Sequence, residues 1–343
     1  MLVLEDGTVF GGESVGATGF ACGEAVFTTA MTGYQEIVTD PSFAEQLVCF
    51  TAPMIGNYGV DRARSESTRP HARAVLMREA RGPGWTDWLH ERGIVALTGI
   101  DTRSLVLQLR SAGAMRAVAV SGDCAVDEAL ATARSLAEMN GRALVAGVST
   151  KEPYIFSDIG PTRVAVVDYG CKRSILRRLA HAGAAVTVYP HDVDADELVG
   201  YDGVLLSNGP GDPEPLELEI ATVPGAARPG ARARNLPRAP AARPRHGPQH
   251  LEAPVRTPRR EPSRARAVER SCTRHRAEPR LLRRRAATTP EVTHVSLYDG
   301  TVEGLAFPEL RARSLQFHPE AGPGPHDAWP LLETWIEDLA HAA

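Results

Sequence analysis

Arg163-Val164-Ala165-Val166-Val167-Asp168 and, further along, Gly203-Val204-Leu205-Leu206-Ser207-Asn208-Gly209-Pro210-Gly211-Asp212-Pro213 decide how the second half of this chain folds. Each stretch opens on a continuous apolar run, the pattern of a parallel strand buried on both faces. Between them, 172–181 carries Ile175, Leu176 and Leu179 at helical spacing, 185–189 repeats the strand and 194–199 the helix. Strand and helix alternating in this way predict a doubly wound parallel α/β sheet. Further on, 293–307 reads as a hairpin about Asp299-Gly300 and 314–317 as a strand. A closing helix over 327–341 has Trp329, Leu332, Ile336 and Leu339 on one side.

Upstream the pattern is different. A hairpin signal at 1–10 turns on Glu5-Asp6-Gly7, and short β-type runs follow at 24–29, 46–50 and 74–77. Helical spacing returns at 85–92 and 102–112, the latter opened by Asp101 as N-cap and closed by Gly113. Residues 1–140 therefore form a separate mixed α/β domain, 141–162 with Pro153 and Gly160-Pro161 a linker, and 163–343 the second domain.

At 343 residues and 43% hydrophobic types, the chain is long enough for two cores and is neither fibrous nor wholly disordered. No run reaches the roughly 20 apolar residues of a membrane span, and the first residues lack a signal-peptide layout. A cytoplasmic protein without membrane contact is the expectation. Cys22, Cys49, Cys124, Cys171 and Cys272 show no C-x-x-C spacing, so they read as reduced thiols with no metal site. The net charge of −4 conceals an asymmetry: residues 224–287 hold eighteen Arg and no Lys against four Glu and no Asp, with ten prolines and no Phe, Trp or Tyr. Such a segment has too little apolar surface to offset its ordering entropy, so 223–287 is not expected to fold as written.

Two stretches carry chemistry. The Gly/Pro-rich turn at 207–213 follows a strand directly, where open α/β sheets bind ligands and where glycines admit close backbone approach. In isolation it also suits an ordinary turn. His318-Pro319-Glu320 sets an imidazole two residues from a carboxylate that could fix its tautomer, an acid–base arrangement that elsewhere is simply a surface turn.

Taken with Met31-Thr32-Gly33-Tyr34-Gln35-Glu36-Ile37-Val38-Thr39-Asp40-Pro41-Ser42, Gly56-Asn57-Tyr58-Gly59, Asp101-Thr102-Arg103 and the run from Ala321 to Asp327, these motifs resemble the small, glutamine-hydrolysing subunit of carbamoyl-phosphate synthase. The resemblance covers 1–222 and 289 to the end. It implies that the second domain is a flavodoxin-like class I glutamine amidotransferase unit. In that chemistry a Cys thiolate attacks the glutamine amide, His318 acts as base and then as acid, and Glu320 orients His318. Ser42, Gly209 and Gly211 would contact glutamine, with the Gly209 N–H also facing the oxyanion. The resemblance further implies a large synthetase subunit as partner, docked by the N-terminal domain. That subunit would carry the ATP and Mg and use the ammonia to make carbamoyl phosphate for arginine and pyrimidine synthesis, with no cofactor on this chain.

One departure is serious. The family's nucleophile lies in a Gly-Ile-Cys-Leu-Gly-His-Gln strand-to-helix turn, and that string is missing. Cys272 sits in the right interval but among Arg, Ser and Thr with no apolar strand before it, and Cys171 reads as a packing residue at a helix start. The central part of the domain is thus disrupted, and the genetic code suggests how. Arg234 to Ala241 can be written AGG AAT CTG CCT CGG GCA CCA GCT, which one base later spells Gly-Ile-Cys-Leu-Gly-His-Gln. With third bases chosen in the same way, 255–263 can yield Phe-Gly-His-Arg-Gly-Ala-Asn-His and 277–282 Gln-Asn-His-Gly-Phe in that shifted frame, two further family strings in family order. A GC-rich gene read out of frame gives Arg, Pro and Ala, and the whole chain has 36 Arg against 2 Lys. The segment 223–287 therefore reads as frame-shifted between two compensating indels.

Two other classes of function compete. The Arg-rich segment could bind nucleic acid through phosphates, but it lacks stacking aromatics and any zinc or helix-turn-helix pattern, so no nucleic-acid partner is expected. The chain could also be a non-catalytic protein that only docks to the large subunit. Glutaminase assays beside a salt titration of DNA binding separate the three.

Overall fold

A computed structural model of the chain describes residues 1–139, 141–211, 290–297, 299–324 and 326–342, together with the backbone of Arg234–Leu236. Two mixed sheets dominate it. In the first, Gly19–Thr28, Gln46–Phe50, Ala74–Leu76 and Val95–Thr98 run parallel in that order. Met115–Ser121 and then Leu2–Leu4 and Val9–Phe10 extend the Gly19–Thr28 edge antiparallel, and Glu13–Ser14 closes the other edge. Helix Thr102–Ala112 packs Leu105 and Leu109 on one face of this sheet, and Pro83–Glu91 packs Trp85 and Leu89 on the other. The cap read from sequence is present: Asp101 accepts from the Ser104 N–H at 3.0 Å.

The second sheet has its parallel strands in the order Ala184–Pro190, Thr162–Asp168, Gly203–Leu206, Arg234–Leu236, Ala312–Leu315. Numbered along the chain this is 2-1-3-4-5, the flavodoxin-like order, whose switch point lies between Thr162–Asp168 and Gly203–Leu206. The hairpin Glu291–Val295 and Val302–Phe307 forms the far edge, antiparallel as expected. Helix Arg173–His181 and the closing helix Trp329–Ala342 cover one face, with Ile175, Leu176, Leu179, Leu332, Trp335, Ile336 and Leu339 buried against Val164, Val166, Val186 and Val188. Trp335, which the sequence reading left out, takes the core place expected of Trp329, because the helix begins at Trp329 and leaves that ring half-buried.

Two expectations need correction. The stretch 141–162 is more than a linker: it contains a helical turn, Val145–Val148, and the strand Tyr154–Ser157, antiparallel to Ala184–Pro190 at the sheet edge. Phe156 packs against the second core, which gives this edge strand an apolar anchor. Within 223–287, expected not to fold, the backbone of Arg234–Leu236 forms a strand between Gly203–Leu206 and Ala312–Leu315. The two neighbouring strands present ladder groups toward each other, and any backbone satisfies them whatever its side chains. The rest of 223–287, with Cys272, lies outside the described residues. Among the described residues no helix is long and apolar enough to cross a membrane, and no group of His, Cys, Asp and Glu is arranged to hold a metal.

Candidate active site

The switch point of the second sheet is also its seam with the first domain. Strand Gly203–Leu206 delivers Ser207, whose hydroxyl accepts from the Tyr169 N–H at 2.9 Å and so ties the ends of the two central strands together. The next turn then runs against the backbone of Tyr169. A Cβ added to Gly209 would lie 2.1 Å from the Tyr169 carbonyl oxygen, so only glycine fits there. Gly211 has φ +82, a left-handed conformation that L side chains avoid. Both glycines singled out in the sequence are therefore required by this turn's geometry.

From the other domain, Asp40 caps the helical turn Pro41–Phe43, accepting from the Ser42 N–H at 2.8 Å. This holds Ser42 where its Oγ accepts from Asn208 Nδ2 at 2.8 Å. Ser42 and the Gly-rich turn, far apart in sequence, thus meet across the seam.

His318 and Glu320 follow strand Ala312–Leu315. The His318 Nδ1 donates to Glu320 Oε1 at 2.7 Å, which leaves Nε2 as the nitrogen able to take up a proton. Glu320 is 2% exposed, and its Oε1 is also 2.5 Å from the Lys172 Nζ. Burial alone would raise this carboxyl, but the Lys172 ammonium, and after it His318, outweigh that cost and hold it far below the ordinary carboxylate range. The Trp329 Nε1 donates to the Glu320 carbonyl at 3.0 Å, so both ends of the residue are fixed. A histidine held in one tautomer against a permanently ionised carboxylate is equipped for proton transfer.

Lys172 was not anticipated. It is 3% exposed, 4.0 Å from Asp40 Oδ2, and its Nζ donates to the Gly322 carbonyl at 3.4 Å. Burial would lower its pKa, but Glu320, Asp40 and Glu66 together raise it above the usual lysine value. The available signal was compositional: it is one of two lysines in a chain with 36 arginines. Asn208 and Glu66 gave no such signal.

The described thiols offer no nucleophile. Cys171, beside Lys172, is pushed well above the ordinary thiol value by burial and then by Asp168, Glu320 and Glu66, so it stays protonated. It packs against the second core, as a helix-start packing residue should. Buried Cys49 is pushed up to about 12.

Comparison with known proteins agrees with this geometry at both ends of the chain. Residues 2–119 match the family model for the carbamoyl-phosphate synthase small chain, CPSase domain, and 165–231 with 261–337 match that for class-I glutamine amidotransferase. The second match omits 232–260, the stretch in which the nucleophile string is missing. The carbamoyl phosphate synthase small chain of Xylella fastidiosa (strain Temecula1) is 38% identical, over 99% of this chain and 98% of its own length. That of Escherichia coli (strain K12) is 36% identical, over 98% and 96% respectively. Sequence similarity over nearly the whole length, joined to a Gly-rich turn and a His–Glu pair meeting at the switch point of a 2-1-3-4-5 sheet, places this chain in the carbamoyl phosphate synthase small chain family.

Proposed function

We propose that this chain is the glutamine-handling subunit of a carbamoyl phosphate synthase, built to release ammonia from glutamine and pass it to a large synthetase subunit. The observation that carries the reading is the His318–Glu320 pair, buried at its carboxylate and lining one cavity with Ser207 and Asn208, the latter hydrogen-bonded to Ser42. In this reading, glutamine lies against Ser42 and the 209–211 backbone. The Gly209 N–H faces the amide oxygen as it gains charge. His318 Nε2 takes the proton of an attacking thiol and returns it to the departing ammonia, while Glu320 holds the imidazole and stabilises its charged form. ATP, with Mg, is used on the large subunit, which docks on the N-terminal domain.

The thiol is the part this chain lacks as written. A general base contributes about 10²–10⁴-fold, which cannot stand in for a missing covalent step. Mixed with a carbamoyl phosphate synthase large subunit, the chain should hydrolyse glutamine negligibly, while supplied ammonia supports carbamoyl phosphate formation. Glutaminase turnover abolished by Cys272→Ser would overturn the absence of a nucleophile. Failure to co-purify with the large subunit at low salt would count against the whole reading and favour a protein of other function.

A further inference from the structure

Glu66 is a carboxylate of the N-terminal domain, 3% exposed, that none of the steps above uses. Its Oε2 accepts from the Ser174 N–H at 2.9 Å and its carbonyl from the Arg173 N–H at 2.8 Å, so a residue of one domain caps helix Arg173–His181 of the other. Its own N–H donates to Thr39 Oγ1 at 2.9 Å, which binds it to the segment that carries Asp40 and Ser42. Its Oε1 stands so near the turn after Glu320 that a Cβ on Gly322 would lie 2.3 Å away. Lys172, directly ahead of the capped helix, is the cation that Glu66, Asp40 and Glu320 share.

We infer that Glu66 is a positioning residue for the His318–Glu320 pair, acting through Lys172 and the Gly322 turn, so that the N-terminal domain is a working part of the catalytic centre. The inference rests on the acid–base role proposed for that pair. Three carboxylates face one ammonium, and the helix N–H groups that meet Glu66 supply the remaining positive potential. While Glu66 is ionised, Lys172 is divided among three partners. When Glu66 is neutral, Lys172 is left to Glu320 and Asp40, the negative field at His318 weakens and the imidazole holds its proton less firmly. Among the described residues, the charged or titratable groups acting on Glu66 are Lys172 and Asp40, with the neutral thiol of Cys171 also in its field. Burial pushes Glu66 up to about 7 against the pull of Lys172 and Ser174, so this exchange falls within the range an enzyme meets.

The test is an NMR titration of the full chain labelled at its histidines, with the His318 signal identified by its loss in His318→Gln. In Glu66→Gln the His318 midpoint should fall by about half a pH unit or more, the scale of one removed charge at several ångströms in a partly buried site. In the unmodified chain, the Ser174 amide and the His318 ring should share an inflection near neutral pH. An unchanged His318 midpoint in a folded Glu66→Gln protein overturns the inference. If that variant does not fold, the unmodified chain decides: a Ser174 inflection that His318 does not follow overturns it as well. Neither readout needs glutamine turnover, so a failed acid–base assignment, seen as activity surviving His318→Gln in a frame-restored chain, is a separate result.

Discussion

The ammonium of Lys172 and the carboxylates of Glu320, Asp40 and Glu66 form one buried set, and the sign of each shift determines how stability follows pH. Glu320 is held low and Lys172 high, so both pairings are intact throughout the neutral range. Glu66 is the exception, because burial raises it from 4.5 to about 7. The folded state then binds its proton more tightly than the unfolded chain. The associated stabilisation is complete below pH 4.5 and is lost as pH rises through about 7, a change of roughly 3 kcal/mol at most. Chemical denaturation across this window should therefore show a steeper fall in stability for the unmodified chain than for Glu66→Gln. Parallel curves would mean that Glu66 titrates in the folded protein as it does unfolded.

Among the elements, the short helix Tyr34–Thr39 shows how the seam is braced. Gly33 opens it at φ +80 and donates its N–H to the Tyr58 hydroxyl. Tyr58, Tyr34, Trp85 and Trp88 then meet in succession at 4.3, 4.7 and 5.4 Å, stacked in the first and last contacts and tilted in the middle one, with Arg64 over Tyr58 at one end and Arg92 over Trp88 at the other. A Cβ on Gly33 would lie 2.2 Å from Pro323, in the turn after Glu320. Gly33→Ala therefore meets both backbone strain and a clash across the seam, and should cost about 2–4 kcal/mol. Gly59→Ala, at φ +74 with no neighbour within 4 Å, should cost only the strain, about 1–2 kcal/mol. Equal losses in urea denaturation would remove the seam from the explanation. Elements of this kind were readable wherever the signal was local: Asp101 as a cap, Asp299-Gly300 as a hairpin turn, Ile175 and Leu179 as a buried stripe. Strand Tyr154–Ser157 was hidden because Pro153 and Gly160-Pro161 punctuate it like a linker, and only Phe156 packing on the second core reveals it. Glu66 was hidden for a different reason. It caps a helix more than a hundred residues away, and a cap between domains leaves no pattern in either segment.

At the scale of the whole molecule, the sheet itself bears on the missing nucleophile. Residues 234–236 occupy the strand beside Gly203–Leu206, and codons that can encode them spell Gly-Ile-Cys one base later, with the cysteine at the carboxyl end of that strand. Catalytic groups of open α/β sheets belong at such strand ends. As written, Arg234-Asn235-Leu236 lacks the continuous apolar run that marks a buried parallel strand. The family match to the amidotransferase model also skips 232–260, though it covers 224–231 and 261–287 on either side. One idea accounts for the absent string: two compensating single-base indels, one near codons 217–224 and one near 285–289, displace the frame between them. Resequencing the gene decides it. An uninterrupted frame spelling Gly-Ile-Cys-Leu-Gly-His-Gln should yield a subunit that, with the large chain, makes carbamoyl phosphate from glutamine. Genuine indels should yield one that supports synthesis from ammonia alone, with glutamine use restored when the frame is repaired. Codons for 234–241 that do not give this string one base along would end the idea, and the Arg-rich segment would then need a role of its own.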